Sequence, residues 1–399
     1  MSKIIVASEA ILFLLVFFTG LLIRLYLADR GSFFGDVIGY NYRWLREIEN
    51  NGVLSIYGSN LPGLYPPLYY YMLSLQLFLF NQATFSVLLF MKFLPILFDV
   101  FSFFALLLFG VSILNIPFCK SLLVSAIFFL NPAIMFNSSI WGQTDSLFSF
   151  FALLSVMALL SRRWEISMAA LSLSLLVKPT ALMVAPAIFL ILVRSASVKR
   201  IVASAVTFFG VFFAGIAPFA LNGDLMRFIM KMREHFSKNN LVSANAFNLW
   251  LLAPESFSSA AVFVTLEKAL PILLMLFLLF LAAKEGVQRR FVPLIITWGF
   301  TFFMFGFGMH ERYYHVILVI ASLGLLLSRS LDKIYALLTL SYFVNMFFVF
   351  MLFEATAAPF YNLLKSLSAP AASAIVICNL YILYLMMRNL FLESSRASV

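Results

Sequence analysis

Charged residues and cysteines are scarce in this sequence. Only 11% of the 399 residues are Asp, Glu, Lys or Arg, whereas a soluble domain normally carries about 25%. Such a chain cannot cover a water-soluble globule with polar surface, so we expect lipid to surround most of it. Cys119 and Cys378 lie far apart and show neither disulfide nor metal-site spacing, and a total of three histidines argues against a His-rich metal site.

Apolar residues make up 63% of the chain and are gathered into long stretches. A transmembrane helix needs about 20 apolar residues, and no soluble domain or internal repeat interrupts the series. The pattern predicts an all-α, polytopic membrane bundle of about twelve spans. The predicted spans lie near residues 8–28, 87–110, 121–137, 146–160, 166–178, 180–194, 201–221, 258–283, 291–308, 313–328, 334–353 and 370–388.

The basic residues of the short loops predict the orientation of the bundle. Residues 66–80 (PPLYYYMLSLQLFLF) are apolar but short, and if they crossed the membrane the basic loops would face outward. The positive-inside rule therefore predicts an interfacial helix over 66–80, with both termini cytoplasmic. The same loops account for the net charge of +10 through contact with anionic lipid headgroups, without a nucleic-acid partner.

This orientation places several polar segments on the outer face, where we expect them to form one site. The first is Gly35-Asp36, followed by Tyr40, Arg43 and Trp44. A carboxylate beside a membrane face can act as a general base on an acceptor hydroxyl. It could instead bind a metal, pair with Arg43 or lie solvated in the loop.

The second polar segment, residues 139–146 (SIWGQTDS), separates two apolar stretches. Trp141 offers a flat ring of the kind that stacks on sugars, and Gln143 and Asp145 offer an amide and acceptor oxygens. The alternative is that one of the last three residues of the segment caps the next helix.

Lysines occur beside or within the apolar stretches, where an unpaired charge is costly. Lys178 is expected to face a cavity or an anion such as phosphate, unless it reaches the outer headgroups. Lys92 and Asp99 lie seven residues apart and so share a helix face. They are expected to form an intramembrane ion pair or to line a lipid groove.

Two more polar segments lie further along the chain. In residues 245–250 (NAFNLW), Asn245, Asn248 and Trp250 can read sugar hydroxyls or a diphosphate, or can serve as turn and cap residues.

Residues 306–315 (GFGMHERYYH) form the densest polar cluster and end an apolar stretch. Arg312 suits bidentate binding of phosphate, and His310 can hydrogen-bond a phosphate or a leaving group. Glu311 could orient either residue. The alternative is a structural cluster of ion pairs at a helix end.

In their order, these motifs resemble the membrane-embedded GT-C glycosyltransferases, and most of all the prokaryotic relatives of the second GPI mannosyltransferase. The resemblance covers residues 1–320, for which it implies a catalytic transmembrane module. Residues 321–399 are expected to add only C-terminal transmembrane helices. The motifs that carry the resemblance are GD, YPPLYYY, WGQTDS, KPT, SANAFNLW and FGFGMHERYYH.

The resemblance implies a helical bundle whose first outer loop carries interfacial helices and a catalytic carboxylate. It also implies inverting transfer of a hexose, typically mannose, from a polyprenyl or dolichyl monophosphate carrier to a glycolipid, a lipid-linked glycan or a polypeptide. Asp36 would be the general base, and Lys178, His310 and Arg312 would hold the phosphate. Residues implied for the sugar or acceptor site are Tyr40, Trp141, Gln143, Asp145, Asn245, Asn248, Trp250 and Glu311.

One departure from the family pattern concerns metal binding. Many GT-C enzymes carry paired acids in the first outer loop, whereas Val37 and Ile38 follow Asp36 here. We therefore expect transfer without a metal or other cofactor. The expected location is a prokaryotic plasma membrane, or the endoplasmic reticulum membrane of a eukaryote, with the site on the outer or lumenal face. The competing hypothesis is a transporter or flippase for a lipid-linked sugar, which would more often show inverted repeats.

Overall fold

The computed structural model describes residues 2–80, 82–237, 242–253, 261–283, 290–354 and 361–392. Within these ranges the chain is helical, and its β-type pairing is limited to isolated bridges from Ala244 and Asn245 to His310. The predicted all-α class is confirmed. The α-helices are α1 (Ser2–Ala28), α2 (Phe34–Asp36), α3 (Tyr42–Asn51), α4 (Pro67–Leu79), α5 (Val87–Leu108), α6 (Phe118–Phe129), α7 (Pro132–Met135), α8 (Asp145–Leu160), α9 (Trp164–Val177), α10 (Ala185–Ser195), α11 (Val198–Leu221), α12 (Leu225–Ser237), α13 (Ala261–Ala283), α14 (Phe291–Phe305), α15 (His315–Leu327), α16 (Asp332–Glu354) and α17 (Tyr361–Leu392).

Several of these helices are long and apolar enough to cross a membrane, which makes the chain an integral, multi-pass membrane protein. A further span arises if α6 and the following stretch Pro132–Trp141, which meet at 45°, cross together. The helical segments of spanning length are Ala7–Ala28, Val87–Ile113, Val198–Leu221, Arg329–Glu354 and Ala369–Phe391.

The remaining predicted spans coincide with shorter apolar helices of 10–17 residues, among them α8, α9, α14 and α15. At 1.5 Å per residue these are shorter than the hydrocarbon layer. Helix α15 is apolar on every side because other helices surround it, and nearly all its residues from His315 to Leu326 are buried. The apolar character of such a helix therefore reports burial in protein as well as contact with lipid.

Three helices, α2, α3 and α4, lie between α1 and α5. We call these helices and the chain that joins them the helical cap. Pro67 begins α4, where its fixed φ and missing N–H are tolerated. Helix α3 is amphipathic and buries Trp44, Leu45 and Ile48. The indole of Trp44 meets the rings of Tyr65 and Tyr70 edge-on at centroid distances of 5.1 and 5.8 Å. These aromatic contacts fix α3 against α4 and hold the intervening chain in place.

Buried cations fix α1 and the chain after it against α5, but not through the predicted pair. The expected pairing of Lys92 with Asp99 is wrong. Asp99 Oδ2 accepts a hydrogen bond from Arg24 Nε of α1 at 3.0 Å. Lys92 Nζ donates to the carbonyl oxygens of Ala28 and Ser139 at 3.0 and 2.9 Å. Two helical turns separate Lys92 and Asp99 by about 10 Å along α5, so neighbouring segments offer each side chain a nearer partner.

Candidate functional site

Asp36 is positioned by the contact of its own segment with the polar turn 136–141. After α1 the chain reverses, and the backbone N–H of Phe33 donates to the carbonyl oxygen of Trp141 at 3.3 Å. The rings of these two residues stack at a centroid distance of 4.3 Å. Asp36 ends the short helix α2 that follows Phe33, so the stack fixes where the carboxylate points.

Only one oxygen of the Asp36 carboxylate accepts hydrogen bonds from described residues. Its Oδ2 accepts from Trp141 Nε1 at 2.7 Å and from Gln143 Nε2 at 2.5 Å, and Arg312 Nη1 lies 3.9 Å away. Within the described residues, Oδ1 has no hydrogen-bond partner. The side chain remains 19% exposed. Asp36 therefore faces Arg312 instead of Arg43, and it keeps one oxygen open to a ligand.

A glycine brings Trp141 and Gln143 to the same carboxylate. The π-helical turn Phe136–Trp141 ends at Gly142, whose φ of +83° is left-handed. A Cβ atom at Gly142 would lie 2.6 Å from Val37 Cγ2 and 3.0 Å from Lys92 Cε. Only glycine fits both the conformation and the space.

Substituting Gly142→Ala is therefore expected to destabilise the protein by at least about 1–2 kcal/mol, the cost of the left-handed conformation alone. The measurement is the thermal unfolding midpoint in detergent. Gly210→Ala is the matched control, because Gly210 lies inside α11 and nothing lies within 4 Å of a Cβ there. The control should be neutral or stabilising. Equal midpoints for the two variants would contradict the argument.

Asp145 and Lys178 form a buried ion pair. Asp145 Oδ1 accepts from Lys178 Nζ at 2.5 Å, and its Oδ2 accepts from Asn137 Nδ2 at 3.0 Å. Lys178 is 1% exposed, so it does not extend to the membrane surface. Asp145 does not cap α8, and Thr144 makes no side-chain cap either. The pair thus joins the start of α8 to the break between α9 and the 3-10 helix Pro179–Met183, and it immobilises both charged groups.

The segment between α14 and α15 carries a second charged cluster. Glu311 is buried, and its Oε1 accepts from Arg312 Nη1 at 2.5 Å. His310 Nδ1 lies 3.8 Å from Glu311 Oε2. Burial opposes the negative charge of Glu311, but the charges of Arg312 and His310 outweigh it and hold the pKa of the carboxyl below its usual value.

Arg312 is fixed as a cation by two acids. Burial opposes its charge, but Asp36 and Glu311 outweigh that effect and raise the pKa of the guanidinium well above its usual value. Its side chain is 11% exposed. The guanidinium is therefore a permanent positive charge beside the open carboxylate.

These groups meet at a cavity of about 290 Å³. The cavity gathers the predicted residues from α2, the 139–146 segment, the end of α9 and the 306–314 segment. The lining residues are Asp36, Tyr40, Asn41, Trp44, Gly63, Leu64, Tyr65, Gln143, Lys178, Lys231, Glu234, His310, Arg312 and Tyr313.

Three of the predicted site residues lie directly behind this lining. Trp141 is fully buried and its ring stacks on Phe33, so its indole N–H holds Asp36 while its face is not open to a sugar. Asp145 and Glu311 are also buried, each paired with a cation that does line the cavity. These three residues support the lining side chains.

Residues Asn245, Asn248 and Trp250 lie outside the lining. Asn248 Nδ2 donates to the carbonyl oxygens of Phe303 and Gly306, and Trp250 Nε1 donates to that of Phe305. Asn245 takes a left-handed φ of +64°. Asn248 and Trp250 dock their segment on the end of α14, and Asn245 occupies a turn whose carbonyl oxygen accepts from Asn345 Nδ2 at 3.0 Å. The geometry therefore agrees with the turn-and-cap alternative. A direct role with sugar stays a prediction.

Sequence reasoning missed several lining residues. Tyr65 and Tyr313 fall within the recognised motifs, so their position in those motifs was the available signal. Lys231 and Glu234 lie on α12, outside every motif. The available signal was the amphipathic helical period of residues 225–237, in which Lys231 and Glu234 lie three residues apart and so share a face.

The described residues do not form a recognisable metal site. Among the described residues, no three His, Cys, Asp or Glu side chains are grouped so that they could hold a metal ion. The expectation of metal-independent chemistry stays a prediction.

Comparison of the chain with models of protein families finds no match, and comparison with curated proteins finds none either. Its function is therefore argued from the site.

Proposed function

We propose that this protein is an inverting glycosyltransferase in which Asp36 is the general base. It transfers a hexose, most simply mannose, from a polyprenyl or dolichyl monophosphate to a glycolipid, lipid-linked glycan or polypeptide. The observation that carries the proposal is the Asp36 carboxylate. Its Oδ2 is held by Trp141 and Gln143, while its Oδ1 is open in a cavity that also contains cations.

The reaction follows from the requirements of displacement at an anomeric carbon. The acceptor hydroxyl oxygen forms a bond to that carbon, and the bond from the carbon to the phosphate oxygen breaks. The electron pair leaves with the phosphate, and the hydroxyl proton passes to Asp36 Oδ1. The transition state resembles an oxocarbenium ion. Phosphate is a good leaving group, so one carboxylate suffices without a strong acid.

The cations of the cavity supply the electrostatic support for the leaving phosphate. Arg312 and His310 lie on the segment after α14, and Lys178 lies at the end of α9. Their buried partners Glu311 and Asp145 hold Arg312 and Lys178 in place before substrate binds. Fixed charges of this kind stabilise developing negative charge without reorganisation.

The proposal includes the membrane arrangement inferred from the basic loops. Twelve spans with both termini in the cytoplasm place the cavity at the outer or lumenal face, where a lipid-linked donor presents its headgroup. This count includes α8, α9, α14 and α15 as spans, although each of these helices is shorter than the hydrocarbon layer. Residues 1–320 form the catalytic module, and the later helices, α16 and α17, complete the bundle around it.

The stereochemistry of the product tests the proposed single displacement. The purified protein in nanodiscs is given a polyprenyl-phosphate hexose of known anomeric configuration and an acceptor pool, and the product is analysed by NMR. We expect the opposite configuration in the product. Retention would contradict a single displacement. Movement of intact donor between leaflets of proteoliposomes, with no cleavage, would identify the transporter alternative.

The support that Trp141 gives Asp36 leads to a further prediction. Trp141→Phe keeps an aromatic ring on Phe33 but removes the hydrogen bond to Asp36. A hydrogen bond to a charged group is worth about 1.5–3 kcal/mol, so we expect kcat to fall roughly 10-fold or more. Trp298→Phe is the control, since Trp298 is equally buried and its indole N–H has no partner within the described residues. Equal kcat values for the two variants would show that the hydrogen bond from Trp141 to Asp36 does not contribute to catalysis.

A further inference from the structure

Helix α12 lines one side of the cavity and contains none of the sequence motifs described above. Its start is fixed by Asp224, which accepts hydrogen bonds from Asn222 and Arg227 at 2.7 and 2.8 Å. Its inner face is fixed by Phe228, whose ring meets Tyr57 edge-on at a centroid distance of 5.1 Å. Because Tyr57 belongs to the cap between α3 and α4, α12 is held against the same cap that carries Asp36.

The outer face of α12 is mostly apolar, although Arg233 is also exposed on it. Met226, Ile229 and Met230 are 65%, 48% and 52% exposed. A helix with an exposed apolar face and a charged opposite side lies at the membrane interface, with the apolar face at the boundary of the acyl chains. Helix α12 has this amphipathic pattern, which is typical of a helix near lipid headgroups.

Lys231 lies on the inner side of α12 and lines the cavity. It follows the buried Phe228 by three residues, so the two share a face. Within the described part of the chain, Lys231 makes no hydrogen bond or ion pair with another described residue, although Glu234 lies one turn away and lines the same cavity. The Lys231 side chain is half-buried and lines the cavity.

The other cations of the cavity differ in this respect. Lys178 is paired with Asp145 at 2.5 Å, and Arg312 is paired with Glu311 and lies 3.9 Å from Asp36. Among the described Lys and Arg residues that line the cavity, Lys231 is therefore the one without an ion pair to another described residue. A half-buried ammonium gains most from an anionic ligand, through short charge-assisted hydrogen bonds.

We propose that Lys231 binds the phosphate group of a lipid-linked substrate and so positions that substrate for transfer. The inference rests on the proposed glycosyltransferase function and assigns a phosphate-binding residue that the motifs did not include. The phosphate can belong to the donor carrier or to a phosphorylated acceptor lipid. In either case the lysine holds a phosphate at the membrane interface while Asp36 faces the acceptor hydroxyl.

Direct binding measurements test this role without requiring catalysis. The probes are a short-chain isoprenyl phosphate and the matching isoprenyl alcohol, titrated into the full-length protein in nanodiscs. Lys231→Met keeps an unbranched side chain that is one atom shorter and removes its charge. We expect its affinity for the phosphate to fall roughly 10- to 100-fold, the loss of a hydrogen bond between charged groups, and its affinity for the alcohol to stay unchanged.

Two further variants separate a specific role from a general loss of positive charge or of folding. Arg233→Met removes a cation from the exposed side of the same helix, outside the cavity lining, and should leave phosphate affinity unchanged. Lys231→Arg keeps the charge and should retain most of the affinity. Equal affinity of wild type and Lys231→Met for the isoprenyl phosphate, together with unchanged KM values for donor and acceptor, would overturn the proposal.

Steady-state kinetics identify which substrate carries the phosphate. An increase in the KM for donor alone assigns the donor carrier, and an increase in the KM for acceptor alone assigns a phosphorylated acceptor. If wild type transfers hexose but Lys231→Met does so with unchanged KM values, the inference fails while the glycosyltransferase function stands. If wild type binds no isoprenyl phosphate and consumes no donor, both fail together.

Discussion

Asp36→Asn is expected to lower the rate of the proposed hexose transfer by about 100- to 10,000-fold, the usual contribution of a positioned general base. Asparagine has the same size and can still accept from Trp141 and Gln143 through its carbonyl oxygen. Its amide nitrogen, however, cannot take the proton of the acceptor hydroxyl. Donor affinity should change little, because the donor phosphate meets the cations of the cavity and not this side chain.

The control for this variant removes a carboxylate that has no place in the cavity. Glu49 lies on α3, in the same segment as Asp36, and pairs with Arg46 at an exposed position. Glu49→Gln should leave both kcat and donor KM unchanged. Full activity in Asp36→Asn, or an equal loss in both variants, would mean that Asp36 is not the base.

Asp145→Asn is expected to destabilise the folded protein by about 3–5 kcal/mol, because it leaves the buried Lys178 ammonium without an anion. The double variant Asp145→Asn with Lys178→Met removes both charges. It should recover most of the lost stability, since a neutral buried pair has no uncompensated charge. The measurement is the thermal unfolding midpoint of each variant in the same detergent.

An exposed ion pair provides the comparison. Arg200 Nη1 lies 2.8 Å from Glu165 Oε1, but the two side chains are 61% and 29% exposed. Exposed pairs of this kind contribute about 0–1 kcal/mol, so Glu165→Gln should barely move the midpoint. A double variant at Asp145 and Lys178 that is as unstable as Asp145→Asn alone would show that charge compensation is not what this pair provides.

Composition and hydropathy were sufficient to predict the helical class, and the two prolines before Tyr69 were sufficient to predict the start of α4. The lengths of the helices were not predictable in the same way. Residues 180–194 were expected to form one span, but Pro179–Met183 is a 3-10 helix and α10 begins only at Ala185. Hydropathy cannot separate these cases, because burial against protein and exposure to lipid select the same apolar side chains.

The candidate site was predictable in part. The positive-inside rule placed Asp36, Gln143, Lys178, His310 and Arg312 on one side of the bundle, and the structure brings all five to one cavity. Agreement at this level needs only a prediction of which loops share one side of the membrane, and the basic loops supply that prediction.

The partners within the site depend on packing and could not be read from spacing. Asp99 pairs with Arg24, which lies 75 residues away, instead of Lys92. The ring of Trp141 was expected to stack on a sugar, but Phe33 covers it. In each case the partner comes from a segment distant in sequence, so no local pattern could have identified it.

The most direct test of the proposed function is donor consumption followed by mass spectrometry. The purified protein in nanodiscs is incubated with short-chain polyprenyl-phosphate hexoses and a membrane lipid extract as the acceptor pool. We expect wild type to release polyprenyl phosphate and to form a product heavier than an acceptor by one hexose, and we expect Asp36→Asn to form neither. Tight binding of mannose, glucose and pentose donors by wild type, with none of them consumed, would contradict the proposed transfer and favour a flippase.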